Sequence, residues 1–241
     1  MNDSKTESSG INDLDKKLGG LLIGDNVIIE AESGTYPELF IENFVRQAIN
    51  EDKKVVYVAF NASPLTLCSR FEKMDIERLT LLDCFTAGKG KSEEVFQDFY
   101  AAKDHVIEVI KMELPHMPNY FHRTFDSITS KKGIHTRYVF DSVTGMLELW
   151  KTEGRVREFY THTCPMLFDT KTIAYWLLDK DVHSSSFKAH LEHIGQVVIE
   201  LNRRSNGLFL QVKKAVERYG SGIYDEQKYQ VSDSSIRFLK K

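Results

Sequence analysis

The strongest constraint on this chain is the alternation of short, continuous apolar runs with amphipathic stretches of helical period. Asn26 to Ala31 (Asn-Val-Ile-Ile-Glu-Ala) reads as a short buried strand. Pro37 to Asn50 follows as a helix. Proline suits its first turn, and Phe40, Ile41, Phe44, Val45 and Ala48 fall on one face. Lys54 to Phe60 is a second strand, Leu65 to Met74 a helix and Leu79 to Asp83 a third strand. Ser92 to Met112 reads as one long helix, because Val95, Phe99, Ala102, Val106 and Val109 recur at helical spacing. Pro115 and Pro118 break it, and a shorter helix is expected over Asn119 to Ser130. The strand Thr136 to Phe140 ends on Asp141, and helical pattern resumes from Thr144 towards His162 with an interruption near Gly154. A strand from Thr172 to Leu178, a helix from Ser185 to His193 and a strand from Gln196 to Leu201 complete the series. Leu208–Val212, Tyr229–Val231 and Ile236–Leu239 alternate apolar and polar positions, as half-exposed antiparallel strands do. The expectation is an α/β fold: a mostly parallel central sheet flanked by helices, with an antiparallel C-terminal extension.

No Gly/Pro/Ser linker and no internal repeat divides the 241 residues. The reading is a single domain over residues 10–241, preceded by a polar, disordered tail over residues 1–9. A formal net charge of −3 creates no global field attractive to nucleic acid or anionic lipid, so neither is an expected partner. The basic pairs Lys53-Lys54, Lys131-Lys132 and Arg203-Arg204, and Lys89-Gly90-Lys91, stand among acidic neighbours and read as solvated faces. Cys68, Cys84 and Cys164 form no CxxC pair and suit a reducing compartment. With no secretory apolar stretch at the start and no run long enough to span a bilayer, a cytoplasmic location is expected.

Gly10-Ile11, Leu14-Asp15, Leu18-Gly19-Gly20, Leu22 and Gly24, running into Val27-Ile28-Ile29, resemble the opening of KaiC/RadA-family domains. Leu21 stands where that family carries the third glycine of its run. Asn61-Ala62-Ser63-Pro64 falls where the family has two glutamates followed by Thr-Pro or Ser-Pro. Tyr138 to Ser142 resembles its Walker B strand, and His193 to Leu201, Leu210 to Lys214 and Tyr229 to Phe238 resemble its C-terminal portion. The resemblance implies a RecA-like P-loop NTPase fold.

It also implies a specific departure. A working P-loop reads G-x-x-x-x-G-K-[ST]: its glycines let backbone amides cradle phosphate, lysine supplies charge and the hydroxyl holds Mg²⁺. The corresponding positions here are Ala31, Glu32, Ser33, Gly34, Thr35, Tyr36, Pro37 and Glu38. Tyr36 is expected to be unable to follow glycine into the dihedrals of an anion nest. Pro37 removes a charge and an amide, and Glu38 places a carboxylate at the helix start. Two unit charges about 4 Å apart interact by roughly 4 kcal/mol at an effective dielectric near 20, so exchanging attraction for repulsion is decisive. The family's catalytic glutamate falls at Asn61 or Ala62, neither of which is a base. Asp141 and Ser142 survive at the Walker B-like position, where a helix-capping role is the simpler assignment for Asp141.

The functional expectation is a non-catalytic, pseudo-ATPase domain acting as a regulatory or assembly subunit in a homo- or hetero-oligomer, with no cofactor and no metal. One alternative keeps ATP and Mg²⁺ on the residual Ser33-Gly34-Thr35 loop and Asp141. A further alternative is an accessory DNA-handling protein. Lys213 and Lys214 fall where the resemblance implies a basic finger reaching a neighbouring subunit's nucleotide, against the simpler reading of edge-strand lysines. His190 and His193, three apart on a helix, lack a third ligand. Cys164 near His162 lacks an orienting group.

Overall fold

A computed structural model of the chain describes residues 6–72, 74, 76–88, 97–101 and 107–239. The elements run β1 (Thr6–Glu7), α1 (Asn12–Leu18), β2 (Leu21–Leu22), β3 (Asn26–Ala31), α2 (Pro37–Asn50), β4 (Val55–Ala59), α3 (Pro64–Phe71) and β5 (Leu79–Asp83). Then come α4 (Phe85–Gly88), α5 (Gln97–Ala101), β6 (Glu108–Lys111), α6 (Pro118–Lys132), β7 (Arg137–Asp141), α7 (Val143–Trp150) and α8 (Glu153–Asp169). β8 (Ile173–Asp179), α9 (Ser185–Ile194), β9 (Val197–Arg204), β10 (Gly207–Ala215), β11 (Gln227–Ser232) and β12 (Ser235–Phe238) complete the chain.

A 10-stranded sheet in the order β12-β11-β10-β9-β3-β8-β7-β4-β5-β6 organises everything else. Pairing is parallel from β9 across to β6 and antiparallel through β9, β10, β11 and β12. β3 lies between β8 and β9, and all six of its residues are buried, which is why its sequence is a nearly unbroken apolar run. One face of the sheet is covered by α1, α2 and α3 through Leu14, Phe40, Phe44, Leu67 and Phe71. The other is covered by α6, α7, α8 and α9 through Phe121, Phe125, Trp150, Phe159 and Leu191. There Phe140 stacks on Trp176 at 3.6 Å, and the Trp176 indole N–H donates to Asn26 Oδ1 at 3.0 Å. Burial of that indole is therefore compatible with its polar edge. Ser63, Ser142 and Ser184 cap α3, α7 and α9, each accepting from a backbone amide three residues on.

The expected long helix over Ser92 to Met112 is corrected at its end. Glu108–Lys111 is an edge strand, parallel to β5, while the described residues Gln97–Ala101 are helical, as α5. Lys89-Gly90-Lys91 and the rest of that span, residues 92–96 and 102–106, lie outside the described residues. The adjacent β-branched pair Val109-Ile110 favours a strand, and Glu108 is held there by Lys132 and by the Thr80 hydroxyl at 2.6 Å. The break between α7 and α8 falls at Lys151 and Thr152, not Gly154, because Lys151 adopts the left-handed conformation that ends α7.

The frayed tail expected through Ser9 is also corrected from Thr6 onward. Thr6 and Glu7 pair with Leu21 and Leu22, and Ser9 is fully buried. Glu7 forms an ion pair with Arg137 at 3.1 Å, both side chains being under a tenth exposed, with Lys53 at 3.8 Å. Removing one partner of such a pair leaves an uncompensated buried charge. Glu7→Ala is expected to destabilise the fold by about 3 kcal/mol, read from urea denaturation, where a frayed tail would show no change.

Candidate functional site

The segment after β3 forms a tight loop before α2. The Thr35 amide and hydroxyl both donate to the Glu32 carbonyl, at 3.2 and 2.6 Å. The Glu32 amide donates to the Leu201 carbonyl at 3.0 Å, and the Glu32 carboxylate accepts from the Arg203 amide at 2.9 Å. Tyr229, from β11, donates its hydroxyl to the Thr35 carbonyl at 2.7 Å. A Cβ built on Gly34 would stand 2.9 Å from Arg203 Nη1, so the guanidinium rests against the only side-chain-free position of the loop. Pro37 opens α2 and Glu38 lies in its first turn, beside the positive helix end.

Tyr36 overturns one expectation. Its φ of 58° and ψ of 48° place it in the left-handed region, so this residue does take up glycine-like dihedrals, as the residue preceding α2. The backbone course at this corner tolerates a side chain because Tyr36 projects outward and is 45% exposed.

Asn61 and Asp141 lie at the carboxyl ends of the neighbouring parallel strands β4 and β7, which brings two separately predicted positions together. Asn61 Nδ2 donates to Ser142 Oγ at 2.7 Å and approaches Asp141 Oδ1 at 3.5 Å. Tyr57 donates its hydroxyl to Asp141 Oδ2 at 2.5 Å. The capping role expected of Asp141 belongs to Ser142, which accepts from the Gly145 amide at 3.0 Å. Burial pushes the Asp141 carboxyl above its ordinary range, and the Tyr57 hydroxyl pulls it back. Ala62 is half-buried and packs against the core. β8 separates β3 from β7, so the loop and Asp141 are two strand spacings apart, roughly 10 Å. A cavity of about 320 Å³ does lie at the carboxyl ends of β4 and β5, lined by Phe60, Cys84, His116, Gly145, Glu148 and Lys151. It is on the far side of Asp141 from the loop.

The family model for the ATPase KaiC matches residues 7–219. The chain belongs to the KaiC-like ATPase family. Among solved structures, a KaiC-like protein from the hyperthermophilic archaeon Pyrococcus horikoshii superposes with a TM-score of 0.64 at 17% identity. The match covers 98% of this chain and 100% of that one, and it shows a shared RecA-like fold. A search of curated proteins returned no significant match.

In this KaiC-like chain Lys213 and Lys214 are engaged by their own subunit. A register shift between Val212 and Lys214 makes Lys213 the extra residue of a β-bulge, which turns both lysines towards α9. Lys214 Nζ donates to the carbonyls of Glu192 and His193, each at 2.8 Å, at the negative end of that helix. Lys213 Nζ donates to Glu192 Oε1 at 3.1 Å and stands 3.8 Å from Glu30 Oε2.

Glu30, one residue before the loop, was not singled out from the sequence. The signal was there: a lone carboxylate in an otherwise apolar strand. Its side chain is buried, and Oε1 has no hydrogen-bond partner. Burial pushes its carboxyl up to about 7, opposed by Lys213 and reinforced by the neighbouring Glu192.

The remaining candidates separate. His190 Nε2 pairs with Thr161 Oγ1 at 2.9 Å, and the His193 carbonyl accepts from Lys214 Nζ. Cys164 is buried, and burial pushes its thiol far above the range of a nucleophile. Among the described residues no group of three metal-ligating side chains is assembled, and no helix is long and apolar enough to cross a membrane.

A carboxyl raised from 4.5 to about 7 on folding favours the folded state fully below the lower value, and that contribution is lost as pH rises through about 7. Stability measured by urea denaturation is therefore expected to fall between pH 4.5 and pH 7, and Glu30→Gln is expected to remove most of that slope.

Proposed function

We propose that this KaiC-like chain does not turn over nucleotide and works as a regulatory or assembly subunit through protein contacts, with copies of itself or with another chain. The observation that carries this reading is that the loop after β3 is closed on its own chain. The Thr35 amide and hydroxyl are turned to Glu32, Tyr229 holds the Thr35 carbonyl, and Arg203 rests on Gly34. An Mg-nucleotide fits these residues poorly. Pro37 offers no amide, Glu38 repels phosphate at the helix start, and neither replaces the lysine or the metal-binding hydroxyl. Asn61, facing Asp141 and Ser142, donates a hydrogen bond there and cannot take a proton from water.

A second reading rests on one observation. The Arg203 guanidinium is a cation beside the loop, and with the Ser33-Gly34-Thr35 backbone and Asp141 it supports retained nucleotide binding. Calorimetric titration of Mg-ATP and Mg-ADP separates the two. Wild type is expected to show no saturable heat up to about millimolar nucleotide, some 4 kcal/mol of affinity. Pro37→Lys/Glu38→Thr is expected to raise affinity above wild type. Micromolar binding by wild type that is lost in Arg203→Ala would establish the second reading, and hydrolysis of the bound Mg-ATP would defeat the first.

A further inference from the structure

Away from the loop, α6 and α8 bring two imidazoles together. The rings of His122 and His162 meet edge to face, with centres 4.7 Å apart and planes at 81°. His122 also lies against the Phe159 ring, at 5.0 Å, which fixes it on the apolar side. Its Nε2 is buried and has no hydrogen-bond partner. A buried imidazole nitrogen without a protein partner is uncommon and is open to a water, a ligand or an ion.

The surroundings suit a cation. Asp126 follows His122 by one helical turn on α6, and Glu158 precedes His162 by one turn on α8. Asp126 and His162 line the same open cavity, of about 420 Å³. Burial and the neighbouring His162 both lower the basicity of His122, while Asp126 and Glu158 act the other way, so His122 favours the neutral imidazole, with a lone pair available. His162 is exposed and can turn about its side-chain bonds.

We propose that His122 and His162 bind a divalent transition-metal ion of the zinc class between α6 and α8, with Asp126 and water completing the shell. With zinc–nitrogen bonds near 2.0–2.1 Å, two imidazoles on one tetrahedral ion hold their ring centres roughly 5 Å apart, close to the spacing present before any ion arrives. The third ligand is not assembled beforehand, so Asp126 has to turn towards the imidazoles when the ion binds. Such an ion would tie α6 to α8 across the aromatic cluster that covers one face of the sheet.

The test is titration of ZnCl₂ into the full untagged chain in a Cys68→Ser background, which removes the partly exposed thiol as a competing ligand. Saturable uptake of one ion per chain at micromolar concentration is expected, with a rise in melting temperature. His162→Ala, an exposed change that leaves the core intact, is expected to weaken binding at least tenfold, and Asp126→Asn by less. His190→Ala is expected to leave it unchanged. Absence of saturable binding overturns the proposal, as does binding that His162→Ala leaves intact. An imidazole pair that merely packs would give the first of these results.

Discussion

The enclosure of β3 is the constraint on which the rest of the structure depends. With β8 and β9 bonded to its edges and helices on both faces, every residue from Asn26 to Ala31 is removed from water. Such a strand has to be apolar throughout, and its flanking parallel strands have to return by crossovers that place helices on both faces. The two cores, the position of α2 and the corner at residues 32–36 all follow from that one placement. Polar groups that enter this layer must find partners inside it. Asn26 does so by accepting from the Trp176 indole and donating to the Cys164 carbonyl at 3.2 Å. Glu30 does so only in part, which is why its carboxyl favours the protonated form.

The corner after β3 places a left-handed residue, Tyr36, directly before α2. The interactions that hold the corner come from far along the chain, from Leu201, Arg203 and Tyr229. The antiparallel extension is therefore a working part of this region: β9 and β11 supply the groups that close the loop. At the far side of β8, Asp141 is held in the same way by Tyr57 and Asn61, two side chains from one neighbouring strand and its end. Both halves of the candidate site are stabilised by bonds within the chain.

The sequence was legible wherever burial imposes a period. The strands β3, β4, β5, β7 and β8 were readable as apolar runs, and α2 as an apolar stripe of Phe40, Ile41, Phe44, Val45 and Ala48. It misled where two periods coincide. Val106 and Val109 fit a helix, yet Val109 and Ile110 form part of an edge strand, because a short strand covered on one side carries too few residues to show its alternation. It also misled at Thr6 to Ser9, where a polar composition resembled a free tail. Glu7 is buried because Arg137 waits beneath it, a partner 130 positions away that no local pattern announces.

By itself, the sequence determined the α/β class, the KaiC-like opening and the identity of every residue in the loop, since these depend on local order and on apolar period. Only the tertiary structure decided which groups those residues meet. Arg203 at Gly34, Tyr229 at Thr35, Tyr57 at Asp141, Lys213 at Glu30 and His122 at His162 are all contacts between distant segments. The physical reason is that backbone pattern is set by neighbours in the chain, whereas the ionisation and pairing of a side chain are set by what packs against it once the sheet has closed.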